Sequence, residues 1–235
     1  MKNLLGRIDR KQDIALYVLL LIMPFIDMLT GAILNAGSTH VLGKIGQLYR
    51  IVFWLYLAYV LFWQNRCRNT KWLLVFTGYV FGLVAVYYLR FGSSIVTNAS
   101  YALKLIFPIY LAYGLAYKTN RGEFDINKIL EFYVWVFPLS MLIPRMLGLG
   151  YYNYYNDSGY KGFYFANNEV NVILMVLFVY CLKKLYDKFT VTNLVQLVLC
   201  IGALLLIGSK TSFLVIPLAT LSFLFVPGKT KKQKA

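Results

Sequence analysis

Acidic side chains are scarce in this chain: nine Asp and Glu stand against 24 Lys and Arg, for a formal net charge of +15. Histidine occurs once and cysteine three times. Cys67, Cys181 and Cys200 form no CxxC, so neither a thiolate metal site nor a dithiol redox pair is indicated. His40, alone in the first polar gap, reads as a solvated loop residue rather than a base. No polar stretch is long enough to fold as a soluble domain. No internal repeat is evident either, which speaks against a duplicated transporter architecture. Without a soluble basic face, the positive excess does not indicate nucleic-acid binding.

What is present is apolar: 60% of residues are hydrophobic and 17% aromatic. Eight apolar stretches cover approximately residues 14–34, 45–63, 72–89, 94–117, 129–147, 167–182, 191–208 and 211–226. A hydrocarbon core of about 30 Å needs roughly 20 such residues as helix. Strands of a lipid-spanning barrel would alternate apolar and polar residues. Runs such as VILMVLFVY do not alternate. The expected fold is therefore an all-α polytopic membrane protein of about eight transmembrane helices, a single membrane domain over residues 1–235. The first stretch is too long for a signal-peptide core, carries Asp27, and lacks a small-x-small cleavage site. It reads as a retained first helix.

Sidedness follows from the cations. Lys2, Arg7, Arg10 and Lys11 precede the first span; Arg66, Arg68 and Lys71 fill the second gap. Lys118, Arg121 and Lys128 fill the fourth, Lys183, Lys184 and Lys188 the sixth, and a lysine-rich tail occupies residues 228–235. The odd-numbered gaps are poor in basic residues. By the positive-inside rule both termini are cytoplasmic and the odd gaps face outward. Most of the excess charge then faces anionic lipid. The fifth gap, residues 148–166, is long, outward-facing and rich in Tyr and Gly, a length more often functional than structureless.

Charged residues inside spans are costly and mark a cavity or a partner. At 1.5 Å per residue, Asp27 lies roughly 10 Å, Arg50 about 7 Å and Lys104 about 15 Å beneath the outer face. Arg145 ends the fifth span, Glu169 opens the sixth, and Lys210 sits at the turn between the last two. Six charged residues thus share the outer third of the membrane, whereas Glu131 lies near the cytoplasmic start of span five. Asp27 and Arg50 can equally pair as a structural ion pair, and Arg145 and Lys210 can snorkel to headgroups. A cationic cavity in the outer leaflet suits a lipid diphosphate, with Arg as a fork for its oxygens and Lys as a point charge. Tyr154, Tyr155 and Tyr160 in the outer loop, with Asn168 at its end, offer the flat rings and amide groups that sugars pack on. An interfacial aromatic belt places tyrosines at the same depth.

Two segments resemble a known family. Gly162-Phe163-Tyr164-Phe165-Ala166-Asn167-Asn168-Glu169 resembles the Gly-x-Phe-x-x-x-Asn-Glu signature of Gram-positive O-antigen ligase-like proteins. Ile207-Gly208-Ser209-Lys210-Thr211 resembles their Gly-[Ser/Thr]-[Lys/Arg]-[Thr/Gly] turn. The stretch Pro24 to Gly31, the pair Tyr49-Arg50, and the Lys104 span with Pro108 also fit. The family comprises polysaccharide repeat-unit polymerases and O-antigen ligases. The resemblance implies a C-type glycosyltransferase fold and a donor made of oligosaccharide on undecaprenyl diphosphate. Transfer would occur at the outer face, with no cofactor and no metal.

It further implies Glu169 or Asp27 as base and Arg50, Lys104, Arg145 and Lys210 around the diphosphate. Lys210 and Glu169 match family motifs; Arg50, Lys104 and Arg145 are assigned from depth and sidedness. Expected partners are the lipid-linked oligosaccharide, membrane lipid and other polysaccharide-assembly proteins. Family members usually continue for further spans beyond the basic turn, so this chain is expected to be an N-terminal, truncated form, inactive on its own. Two further readings stay open: a small permease or transporter subunit, and a non-catalytic membrane assembly partner.

Overall fold

The computed structural model of the chain describes residues 13–37, 44–64, 70–92, 94–153 and 159–225. Each apolar stretch has become a helix. In order they are α1 (Ile14–Asn35), α2 (Ile45–Tyr59) with a closing π turn (Val60–Gln64), α3 (Thr70–Phe91) and α4 (Ile95–Asn120). After α5 (Ile126–Met146) come the short strands β1 (Tyr151–Tyr152) and β2 (Tyr160–Gly162), then α6 (Asn167–Asp187), α7 (Val191–Ile207) and α8 (Lys210–Leu224). By length and composition, α1 to α5 are long and apolar enough to cross a membrane, whereas α7 and α8 are shorter apolar helices. The protein is a multi-pass membrane protein. Helices α4 and α6 outrun their apolar stretches because Lys118 and Lys184 find partners inside the fold, as described below.

Local chemistry sets the helix ends. Asp13 caps α1 by accepting the Leu16 amide at 3.1 Å, and Thr190 caps α7 through the Asn193 amide at 3.2 Å. Gly208 closes α7 in the left-handed conformation, φ +63°, which a residue with a Cβ rarely adopts. The very next residue, Ser209, accepts the Ser212 amide at 3.0 Å and starts α8. The α7–α8 connection therefore contains no spare residue.

Packing divides the chain into two compact units, residues 1–26 with 44–126, and residues 27–43 with 127–235. Helix α1 contributes Ile14–Ile26 to the first and its C-terminal part to the second.

In the first unit, Phe53 and Phe107 meet edge-on with centroids 5.4 Å apart. Gly114 leaves room for Leu57, whose Cδ2 would stand 2.7 Å from a Cβ built there. One end of this unit is polar. Lys118, 4% exposed, places its Nζ 2.9 Å from Asp13 Oδ2, 2.7 Å from Glu123 Oε2 and 2.9 Å from Gln64 Oε1. Tyr56 donates to the same Asp13 carboxylate, and the Asp125 amide donates to Tyr17 Oη at 2.7 Å. Lys118 reads in sequence as a lipid-facing topology charge; it is instead the centre of a buried ion cluster.

The second unit packs Val134, Phe137 and Met141 of α5 against Leu174, Leu177, Phe178 and Cys181 of α6 and Cys200, Ala203 and Leu204 of α7. The residues α5, α6 and α7 contribute at one end form a closed polar ring. Lys184 Nζ pairs with Glu131 and donates to Gln196 Oε1 at 2.9 Å, and Gln196 Nε2 donates back to Glu131 at 3.3 Å.

Candidate functional site

The other end of the second unit gathers most of the predicted residues. On α1, Asp27, Gly31 and Asn35 are spaced by four and share a helix face. Gly31 meets the chain just before α6: a Cβ there would lie 2.1 Å from Phe163 O, 2.5 Å from Phe165 N and 2.7 Å from Tyr164 C. Asn35 Nδ2 donates to Tyr164 O at 3.3 Å. Two segments that resemble the family in sequence are thus in direct backbone contact.

Tyr164 is 2% exposed and stacks on Phe137 at 5.8 Å. Its hydroxyl lies 2.9 Å from Ser140 Oγ, which donates to Phe137 O at 2.8 Å, so the phenol is the donor to Ser140. Burial pushes the Tyr164 phenol up, and the Asp27 charge reinforces this.

Pro144 shapes the hairpin side. It has no N–H for the Ser140 carbonyl one turn back. Gly162, φ +59°, comes so close that a Cβ would be 3.3 Å from that oxygen. The glycine of the signature is therefore needed both for its dihedral and for this approach. Tyr152 and Tyr160 meet edge-on across the hairpin, and Arg145 lies 5.3 and 5.6 Å from their ring centroids. Cations near aromatic faces are held electrostatically. Tyr160 also donates to Leu149 O at 2.8 Å. Burial raises its phenol and the Arg145 charge lowers it. Arg145 and Tyr160, assigned separately to diphosphate and glycan, are brought together here.

Lys161 is the buried cation that sequence reasoning missed. It sits in the middle of β2, only 9% exposed, with Nζ 5.7 Å from the Phe165 ring centroid. No carboxylate pairs with it among the described residues. Burial alone pushes its ammonium below the ordinary lysine value. The available signal was its place directly before the signature glycine.

The residue before α6, Ala166, provides no side-chain cap for the helix start. Asn168 and Glu169 of the signature are exposed there. Asn167 is buried, and its Oδ1 finds no hydrogen-bond partner among the described residues. One turn further, buried Asn171 donates from Nδ2 to Ser209 Oγ at 2.8 Å and to Thr211 Oγ1 at 3.0 Å. Ser212 Oγ donates to Asn171 Oδ1 at 2.6 Å. Lys210 stands between these tethered residues, exposed, at the first position of α8.

Arg50 and Lys104 belong to the first unit. Arg50 is half-buried on α2; Lys104 is on the exposed side of α4, 5.8 Å from the Tyr101 ring centroid. Tyr154 and Tyr155, and His40, lie outside the described residues. Among the described residues, no three His, Cys, Asp or Glu side chains group in a way that could hold a metal ion.

A multi-pass bundle with a tyrosine-rich hairpin and cations at one end of a helical unit defines a class of membrane protein rather than a soluble enzyme. The chain belongs to the family described as O-antigen ligase like membrane protein, whose model matches residues 10–229. Comparison with curated proteins and with solved structures gives no match.

Proposed function

We propose that this protein acts in cell-surface polysaccharide assembly, transferring oligosaccharide from undecaprenyl diphosphate to an acceptor hydroxyl at the outer face of the membrane. The observation that carries this reading is Lys161. An ammonium buried without a carboxylate is costly and is stabilised when an anion enters beside it. Arg145 and Lys210, from the same unit, add positive charge suited to the two phosphates. In the transfer, the acceptor oxygen bonds to the anomeric carbon as the carbon–oxygen bond to phosphate breaks. The lipid diphosphate leaves with the bonding pair. The hydroxyl proton passes to Glu169 or Asp27 acting as base. Cations around the departing diphosphate stabilise its charge in the transition state. Tyr154, Tyr155, Tyr160 and Asn168 form the proposed sugar-facing set.

The test is polymer length in cells whose own copy of the gene is replaced. Lys161→Gln and Lys210→Gln each shorten the surface polysaccharide at unchanged membrane abundance. Lys161→Gln should also melt at higher temperature in detergent, since it removes a buried unpaired charge. Normal polymer in both variants would remove the donor-site assignment.

The reading also requires the hairpin to face outward and the α6–α7 turn to face the cytoplasm. A membrane-impermeant maleimide added to intact cells should label Asn153→Cys and spare Lys188→Cys. The reverse pattern would overturn the proposed orientation.

A further inference from the structure

We propose that Asn171 is a positioning residue that sets where Lys210 stands, a role that rests on the donor-site reading above. Asn171 lies one turn inside α6, 4% exposed, at the head of the apolar run from Val172 to Leu182. An amide in such a place needs all its hydrogen bonds. It makes them to a single short segment. Its two amide hydrogens go to Ser209 and Thr211, the residues on either side of Lys210. Its oxygen accepts from Ser212, the next residue along. Ser209 Oγ lies 2.8 Å from Ser212 Oγ and 2.9 Å from Thr211 Oγ1, which closes the group.

Gly208 ends one helix and Ser209 begins the next with nothing between, so this start of α8 has no loop to take up slack. The Lys210 side chain itself pairs with no carboxylate among the described residues. Its location is thus fixed through its backbone, and the backbone is fixed through Asn171. A long cationic chain on a tethered base keeps its reach while losing little freedom when an anion arrives.

Two measurements on the full chain separate this role from simple stability and from the donor-site reading. In a background lacking the three native cysteines, Lys210→Cys is labelled by an impermeant maleimide with and without Asn171→Leu. Loss of a hydrogen-bonded tether should change the labelling rate at position 210 by about five-fold or more. Labelling at Tyr151→Cys, a half-buried hairpin position not bonded to Asn171, should stay the same. Equal rates at position 210, or a parallel change at both positions, overturn the proposal.

The second measurement is polymer length in Asn171→Leu, Lys210→Gln and the double variant. If Asn171 acts through Lys210, the double variant is no worse than Lys210→Gln alone. An additive loss overturns the positioning role. Normal polymer in Lys210→Gln with altered labelling in Asn171→Leu removes Lys210 from the donor site instead.

Discussion

Lys118→Met should destabilise the first unit by about 3 kcal/mol, the scale for removing one partner from a buried charge cluster. The substitution keeps most of the volume and the apolar stem, so packing is not the cause. What changes is that the carboxylates of Asp13 and Glu123 lose the ammonium that both face, at 2.9 and 2.7 Å. Asp13 also accepts from Tyr56 and caps α1, so its displacement reaches the helix start. Arg121→Ala removes a cation from the same Glu123, but an exposed one, and should leave the melting temperature almost unmoved. Thermal melting of the detergent-solubilised chain distinguishes the two. Equal effects from both would show that burial does not set the strength of this cluster.

Acid should have a related effect. The Glu123 carboxyl is held below its ordinary range by the hydrogen bond from Lys118. For Asp13, burial acts upward, and the bonds from Tyr56, Lys118 and the Leu16 amide outweigh it. Both groups are therefore lowered on folding. Their stabilisation is complete above about pH 5 and disappears as pH falls through the lowered values. In Lys118→Met that acid-side loss should be smaller, because the paired state no longer exists.

Gly31→Ala carries the second large effect, and its sign is opposite to what helix propensity gives. In a helix interior the change usually gains up to about 1 kcal/mol. Here the added carbon meets backbone atoms of residues 163, 164 and 165 within 2.7 Å, so no side-chain rotation can relieve it. Forcing such an overlap costs about 1–3 kcal/mol, and the segment leading into α6 must move. Polymer length should fall with it under the proposed function. Gly78→Ala and Gly82→Ala on α3 serve as internal controls, because a Cβ at either position meets nothing within 4 Å. Those two should be neutral or slightly stabilising. A Gly31→Ala chain as stable as wild type, with normal polymer, would break the link between α1 and the hairpin.

Much of this architecture was legible in the residues, because lipid imposes a simple rule on apolar runs. All eight stretches became helices. Their ends were read less well, since charged residues continue a helix when partners await them, as Lys118 and Lys184 do. Asp13 and Gln64 for Lys118, and Glu131 for Lys184, come from distant segments that no local pattern brings together. Asn171 was legible in principle: an amide amid valines and leucines is expensive unless satisfied. Its targets were not, because they lie across a helix pair. Lys161 escaped notice among loop tyrosines, where a lysine ordinarily projects into water. The signature residues Asn168 and Glu169 turned out exposed, while their neighbours Asn167 and Asn171 face inward.

The division of α1 between two units bears on how the chain is made. Its first half can find Asp125 and Glu123 once the fifth helix begins to emerge. Its second half waits longer: Asn35 and its acceptor Tyr164 are 129 residues apart. At ordinary elongation rates that interval is roughly 10 s. During it, the polar face bearing Asp27 and Asn35 sits in or near the bilayer before its eventual neighbours exist. Helix α1 is thus inserted before its later neighbours and fully seated only after them.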